Sequence, residues 1–278
     1  MAIKKKNIID LSDYIRDVRN MYSTDMAQQT FNCFLAGEVG SGKTHMIQTA
    51  RQPILIHSFD PGGTKHLQPC IEEGWMVVDT RFELDRLDAP KAYKLWEEEF
   101  EKMYDSGIFD SLGTFVVDSF TMFVLALKYK IVKDNGRKDG VMTMHDWQVL
   151  GNIIIDVIKT INSLGCDVIF TGHLTLEKDE VTGKQKAMLA TIPSLQSTLP
   201  QLFDEIYVIE ATETSKGIDR SIVTANTGKY QCRTRIGSGK FDTREEADFG
   251  HLLKKAGKDF SYKPTFEESI AEEADNND

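Results

Sequence analysis

The stretch FNCFLAGEVGSGKTHM, residues 31–46, constrains this 278-residue chain more than any other. An apolar run, FNCFLA, leads directly into G-x-x-x-x-G-K-T at 37–44, and a helix is expected to follow. The glycines let successive backbone N–H groups turn inward around an anion, and the helix adds the positive end of its dipole. The order strand, phosphate loop, helix predicts an α/β nucleotide-binding core. Gly37, Glu38, Val39, Gly40, Ser41, Gly42, Lys43, Thr44 and His45 are the expected nucleotide-binding residues. Lys43 is expected to reach the β- and γ-phosphates and to face solvent when the loop is empty, while Thr44 is expected to hold Mg²⁺.

Short β-rich runs alternate with helical patterns along the rest of the chain. The expected strands are FNCFLA (31–36), PILIHSF (53–59), WMVVDT (75–80), TFVVD (114–118), DVIFTGH (167–173) and EIYVIE (205–210). Several are continuous apolar runs, as strands buried on both faces of a parallel sheet require. Tyr93, Trp96, Phe100 and Met103 share a helical face within 91–104. Trp147, Leu150, Ile154, Val157, Ile158, Ile161 and Leu164 do so within 146–164, with Gly165 as a stop signal. Residues 10–22 carry Leu11, Tyr14, Ile15, Val18 and Tyr22 on one face, behind Asp10 or Ser12 as cap. Strands alternating with helices imply a parallel sheet with right-handed crossovers. After position 205 the helical patterns stop, and EIYVIEAT, SIVTAN and KYQCRTRIG read as an antiparallel extension. Two polar, lysine-bearing loops, 133–146 and 176–189, are expected on the ligand side of the sheet. The chain thus divides into an N-terminal helical segment (1–29), a core (30–262) and an acidic tail (263–278) expected to be disordered.

Four further features carry chemistry. TFVVDS at 114–119 ends an apolar strand in Asp118, the carboxylate expected to hold the Mg²⁺ water shell. Ser119 follows it where a second acid would serve as catalytic base, so the base must come from elsewhere. Asp60, at the end of ILIHSFD, is the candidate, expected to point at the γ-phosphate from a neighbouring strand end. Asp60 equally opens an ordinary Asp-Pro-Gly-Gly turn. His173, closing VIFTGH before a lysine-bearing loop, is a γ-phosphate sensor or a structural histidine. Arg233 and Arg235 in CRTR alternate by two and so share a strand face, either as an arginine-finger pair reaching a neighbour or as a solvated edge.

Composition narrows the classes. The net charge of −10 argues against a broadly basic nucleic-acid surface but leaves room for a few basic loops. The four cysteines are far apart and form no CxxC pair, so buried free thiols are expected. No apolar run approaches the roughly 20 residues of a membrane span, and MAIKKKNIIDLSDY turns acidic before a signal-peptide core could form, so a cytoplasmic protein without a membrane partner is expected. The six histidines show no metal-ligand spacing.

Glu38 directly after the first glycine, then FDPGGT, VVDS, HDWQVLGNIIIDVIKTI and VIFTGH, together resemble the RecA/RadA recombinases. Their order is similar to that of phage-encoded RecA-like ATPases such as the small Sak-type single-strand annealing proteins, over about residues 30–240. The resemblance implies a RecA-like P-loop NTPase core, a mostly parallel sheet flanked by helices with a C-terminal antiparallel extension, using ATP and Mg²⁺. It implies single-stranded DNA as partner, held by loops near 174–192 and 133–145 with Lys178, Lys184 and Lys186 as phosphate contacts. It also implies a homo-oligomer, ring or filament, in which Arg233 and Arg235 act on a neighbour's ATP, and a single-strand-binding or replication protein as further partner. The setting would be a bacterial host cytoplasm for a phage-encoded chain. Asp60 stands where the family carries glutamate, and the N-terminal oligomerisation module is reduced to about thirty residues. The alternative is an ATPase of the same fold acting on a protein, as a helicase loader or packaging-associated motor. A small-molecule kinase ranks last, because no clustered arginine lid follows residue 120.

Overall fold

The computed structural model describes residues 10–24, 30–137, 139–178, 185–215, 217–237 and 239–269. Strand β1 (Asn32–Gly37) lies between two parallel neighbours, β5 (Asp167–Gly172) and β8 (Glu205–Thr214). Alternate residues of β1 feed two cores. Phe34 and Ala36 join the layer of α4 (Ala92–Ser106), α5 (Phe120–Asp134) and α6 (Met144–Ile161). Cys33 and Leu35 join that of α2 (Lys43–Ile47), α3 (Gln68–Glu72) and α7 (Phe249–Ala256). The period of two along a strand, with apolar residues at both phases, is what buries the sheet on both faces.

Beyond β5 come β4 (Thr114–Asp118), β2 (Ile54–Ser58) and β3 (Met76–Asp79), all parallel. On the other side β8 pairs antiparallel with β9 (Gly217–Val223), and β9 with β10 (Arg244–Glu246). The sheet order is β10-β9-β8-β1-β5-β4-β2-β3. This is an α/β fold: a mostly parallel sheet flanked by helices, with antiparallel strands at its C-terminal side. The helical layer over β4 and β5 is aromatic, with Trp96 stacked on Phe100 (5.1 Å between centroids) and edge-on to Phe123 (4.7 Å). All four cysteines are buried and free, as their spacing implied. Among the described residues no helix is long and apolar enough to cross a membrane.

Several elements depart from the sequence expectations. The first two turns of α5, FTMFVLAL, are apolar on nearly every side and show no amphipathic period; the helix packs against α4, α6 and the sheet, with Ser119 as cap. Helices do not stop after 205, since Asp248 caps α7 through His251 N (2.7 Å). The polar stretch 176–189 is no irregular loop: β6 (Leu174–Lys178) and β7 (Gln185–Leu189) form an antiparallel ribbon. KYQCRTRIG is not a strand; its backbone pairs with the sheet at the isolated bridge of Arg233 with Ile206 and with β7 where Tyr230 meets Ala187. Residues 263–269 of the expected tail are tied to the core, for Lys263 Nζ donates to Asp110 O (2.8 Å) and Leu112 O (2.6 Å), and Phe266 packs on the apolar layer. The rest of that tail lies outside the described residues. Helix α1 (Leu11–Thr24) is capped by Asp10, which accepts from Ser12 N (2.7 Å).

His57 in β2 is 1 % exposed and rests edge-on to the Phe115 ring at 4.8 Å. Burial lowers its pKa from 6.5 to about 4. Between those values the unfolded chain binds a proton that the folded chain declines. The contribution to stability is therefore complete above pH 6.5 and is lost as pH falls towards 4. Urea unfolding of the native chain and His57→Leu should show the native chain losing about 1 kcal/mol more than the variant between pH 7 and 5.5. Parallel pH profiles would mean that His57 titrates normally.

Candidate functional site

The phosphate loop runs from the end of β1 into α2. Gly40 and Gly42 have φ of +77° and +101°, a region that a side-chain-bearing residue adopts only with strain. Their backbone turns the loop round on itself, and the Lys43 side chain folds back over it. Lys43 Nζ donates to Gly37 O (3.1 Å) and Glu38 O (2.8 Å), leaving the residue 7 % exposed. The expectation of a solvent-facing lysine is therefore corrected: the ammonium is satisfied by the loop's own carbonyls. Burial lowers its pKa, opposed by the nearby Asp118 and Asp60 carboxylates.

Asp118 ends β4 and is 1 % exposed. Its Oδ2 accepts from Thr44 Oγ1 (2.9 Å), and its Oδ1 accepts a short hydrogen bond from Thr171 Oγ1 at the end of β5. Burial raises the pKa of Asp118, and the two hydroxyls oppose the shift. A hydroxyl and a carboxylate oxygen side by side are hard ligands, and Mg²⁺ characteristically takes one or two protein oxygens and keeps its waters. Thr44 and Asp118 fit that cation. Among the described residues no cluster of His, Cys, Asp and Glu suits any other metal centre.

Around this pair opens a cavity of about 450 Å³, lined by the loop residues Val39, Gly40, Gly42, Lys43, Thr44 and His45 and by Asp60, Gly63, His66, Asp118, His173 and Arg220. Asp60 reaches it although β2 is not a neighbour of β1; β5 and β4 lie between them. The chain runs on past β2, with Phe59 N donating to Asp118 O (2.5 Å), and turns at Asp60, whose carbonyl accepts from Gly63 N (2.9 Å). Glu83 fixes that turn, its carboxylate accepting from Ser58 Oγ (2.7 Å) and Gly62 N (3.1 Å). His173 enters from the end of β5, its N–H donating to Thr121 Oγ1 (3.3 Å) and its Nδ1 buried without a partner. Burial, then Lys43, lowers its pKa, so the imidazole is neutral at pH 7.

Not every expected residue is gathered here. Glu38 and Ser41 line an adjoining cleft of about 480 Å³ with Glu210, Lys229, Tyr230 and Arg244, which shares Val39 and Gly40 with the first. Arg233 and Arg235 sit at the other end of the sheet, where Arg233 donates to Phe203 O and Arg235 pairs with Asp204. Arg233 pairs with Ile206, level with Phe34, and thus about 10 Å before the start of the phosphate loop. They therefore do not reach their own protomer's pocket. Lys178 and Lys186 are both exposed, but they are not one patch. Lys178 stands opposite Gln185 and Lys186 opposite Glu177, which puts the two lysines on opposite faces of the ribbon. Lys184 lies outside the described residues. The other expected DNA loop is drawn onto Asp146, which accepts from Asn135 Nδ2 (2.9 Å) and Thr143 N (2.6 Å) and pairs with Arg137.

Sequence reasoning did not find Thr171, Glu83, His66 or Arg220. Thr171 stood two residues before a histidine already singled out, in a strand whose end faces Asp118, and was within reach of a pattern argument. Glu83 in TRFELD, His66 in TKHL and Arg220 in GIDRSIV carry no motif. Only the packing of distant segments brings them in.

A family profile described as an AAA domain matches residues 30–236, from just before β1 to just beyond Arg235. No curated protein sequence matches the chain. Among solved structures, a KaiC-like protein from the hyperthermophilic archaeon Pyrococcus horikoshii is similar, with 10 % identity, a TM-score of 0.39, and 69 % of this chain and 76 % of that one covered. The family match spans well over half of the chain and takes in the phosphate loop, Asp118 and His173. The chain belongs to the AAA domain family of P-loop ATPases.

Proposed function

We propose that this protein hydrolyses ATP and binds single-stranded DNA in recombination or strand annealing, in the manner of the small phage-encoded Sak-type proteins. One observation carries the reading. His173 is both a wall of the phosphate pocket and the residue from which the β6–β7 ribbon springs, its carbonyl accepting from Ala190 N (2.8 Å) across the base of that ribbon. A change at the γ-phosphate is thereby one residue away from an exposed two-stranded element bearing Lys178 and Lys186.

The chain's own groups supply the parts. Incoming phosphates take the Lys43 ammonium from the carbonyls of Gly37 and Glu38, and the loop amides hold the rest of the anion. Mg²⁺, when held at Thr44 and Asp118, neutralises charge developing on the phosphate oxygens. Asp60, fixed by the Glu83-bound turn, accepts a proton from the attacking water. The neutral His173 offers its unpartnered Nδ1 to the γ-phosphate or to that water. Nucleotide lies between copies of the chain in a ring or filament, where Arg233 and Arg235 of one copy face the nucleotide of the next. A second reading, an ATPase that acts on a protein, is favoured by the net charge of −10 and by an apolar cleft of about 310 Å³ beside the ribbon, lined by Met122, Leu125, Trp147 and Ile192.

Lys43→Ala should reduce nucleotide binding and turnover more than 100-fold, as the loss of a charge-assisted phosphate contact does, with little change in far-ultraviolet circular dichroism. Unchanged hydrolysis would show that the loop does not hold phosphates. In filter binding at low salt, single-stranded DNA should be retained in an ATP-sensitive manner and lost steeply as salt is raised. Absent or ATP-indifferent retention removes the DNA reading and leaves the protein partner.

A further inference from the structure

We infer that Arg220 grips the diphosphate part of a nucleotide bound in its own protomer, a role that rests on the nucleotide reading of this site. The sheet register places it there. Gly37, the last residue of β1, lies level with Ile209 of β8, so everything in β8 beyond Ile209 overhangs the phosphate loop. Arg220 on β9 pairs with Ala211 and therefore stands on that overhang. Its side chain descends onto Gly42, where a Cβ would lie 2.5 Å from Arg220 Nε and 2.7 Å from Cδ. Glycine is required at position 42 by its φ of +101°, and the Arg220 side chain occupies the space a side chain there would take.

The side chain is placed but not satisfied. Its Nε is buried without a hydrogen-bond partner, an expensive condition for a cationic donor unless a ligand completes it. It faces the pocket that also holds Lys43, Thr44 and Asp118. A guanidinium offers a planar fork of donors suited to two phosphate oxygens, which a lysine ammonium cannot match. Gly42 belongs to the backbone cradle for the α- and β-phosphates, whereas the lysine beside it reaches the β- and γ-phosphates. A group lying over Gly42 therefore meets the part shared by ATP and ADP. Arg233 and Arg235, at the far end of the sheet, cannot do this for their own protomer.

Calorimetric titration of the full chain with ATP and with ADP tests this. Arg220→Gln should weaken both nucleotides by a similar factor, about 10- to 100-fold, and Arg220→Lys should recover part of the loss. The melting temperature of the nucleotide-free variants should stay within a few degrees of the native chain's. Unchanged affinities in Arg220→Gln, or a loss confined to ATP, overturn the inference. So does a lowered melting temperature with a loss that lysine does not relieve, which makes Arg220 a structural prop. Lys43→Ala run in parallel separates the two levels: if it too binds normally, the nucleotide reading itself has failed, and if it does not, only the role of Arg220 has.

Discussion

The buried carboxylate of Asp118 is the group on which the site depends. It stands at the end of β4, 1 % exposed, where an unpartnered charge would be costly, and two hydroxyls offset that cost. Thr44 supplies one from the first turn of α2 and Thr171 the other from the end of β5. The backbone carbonyl of Asp118 takes a third contact, from Phe59 N, at the entry to the Asp60 turn. One residue thereby sets the mutual placement of the phosphate loop, the ends of two strands and the candidate base. The hydrogen bonds that hold the carboxylate in place also aim two oxygens at one point, which is what a hard cation requires.

The pocket is walled by what extends past the parallel strands. β1, β4 and β5 end together at its floor. The β6–β7 ribbon rises from His173 on one side, and the β8–β9 overhang carries Arg220 over Gly42 on the other. Both walls are antiparallel pairs reaching beyond the packed sheet, with much of their surface exposed. Two-stranded ribbons of this kind bury little apolar surface of their own, so they are the parts of the fold that a ligand moves at least cost. The floor, by contrast, is set into two apolar layers and stays fixed.

What the sequence missed follows from where information about each segment resides. Helix α5 was invisible because apolar residues recur on nearly every side of its first turns, half-exposed Met122 and Leu125 as well as buried Phe123 and Val124, which leaves no amphipathic period. The β6–β7 ribbon looked like a loop because its residues are polar and mostly exposed, and β-structure built on backbone pairing leaves little mark on side-chain pattern. The grouping of Lys178 with Lys186 failed on parity, since register decides which face a strand residue shows. The Arg-Thr-Arg segment is held by Glu205, whose carboxylate accepts from Arg235 N (2.7 Å) and Ile236 N (3.0 Å). That contact spans about thirty residues and has no local signature.

The chain alone determined the sheet and the floor of the site. Apolar runs of strand length, each ending in a glycine loop, an aspartate or a histidine, dictate parallel strands buried on both faces with polar groups collected at one edge. That logic is local, so Lys43, Thr44, Asp118, Asp60 and His173 are legible in the sequence itself. The tertiary structure alone decided the strand order that sets two strands between β1 and β2, the turn-fixing role of Glu83, and the descent of Arg220 onto Gly42. These depend on how segments far apart in the sequence pack together. Register and overhang are properties of pairs of strands, and no single stretch of residues encodes them.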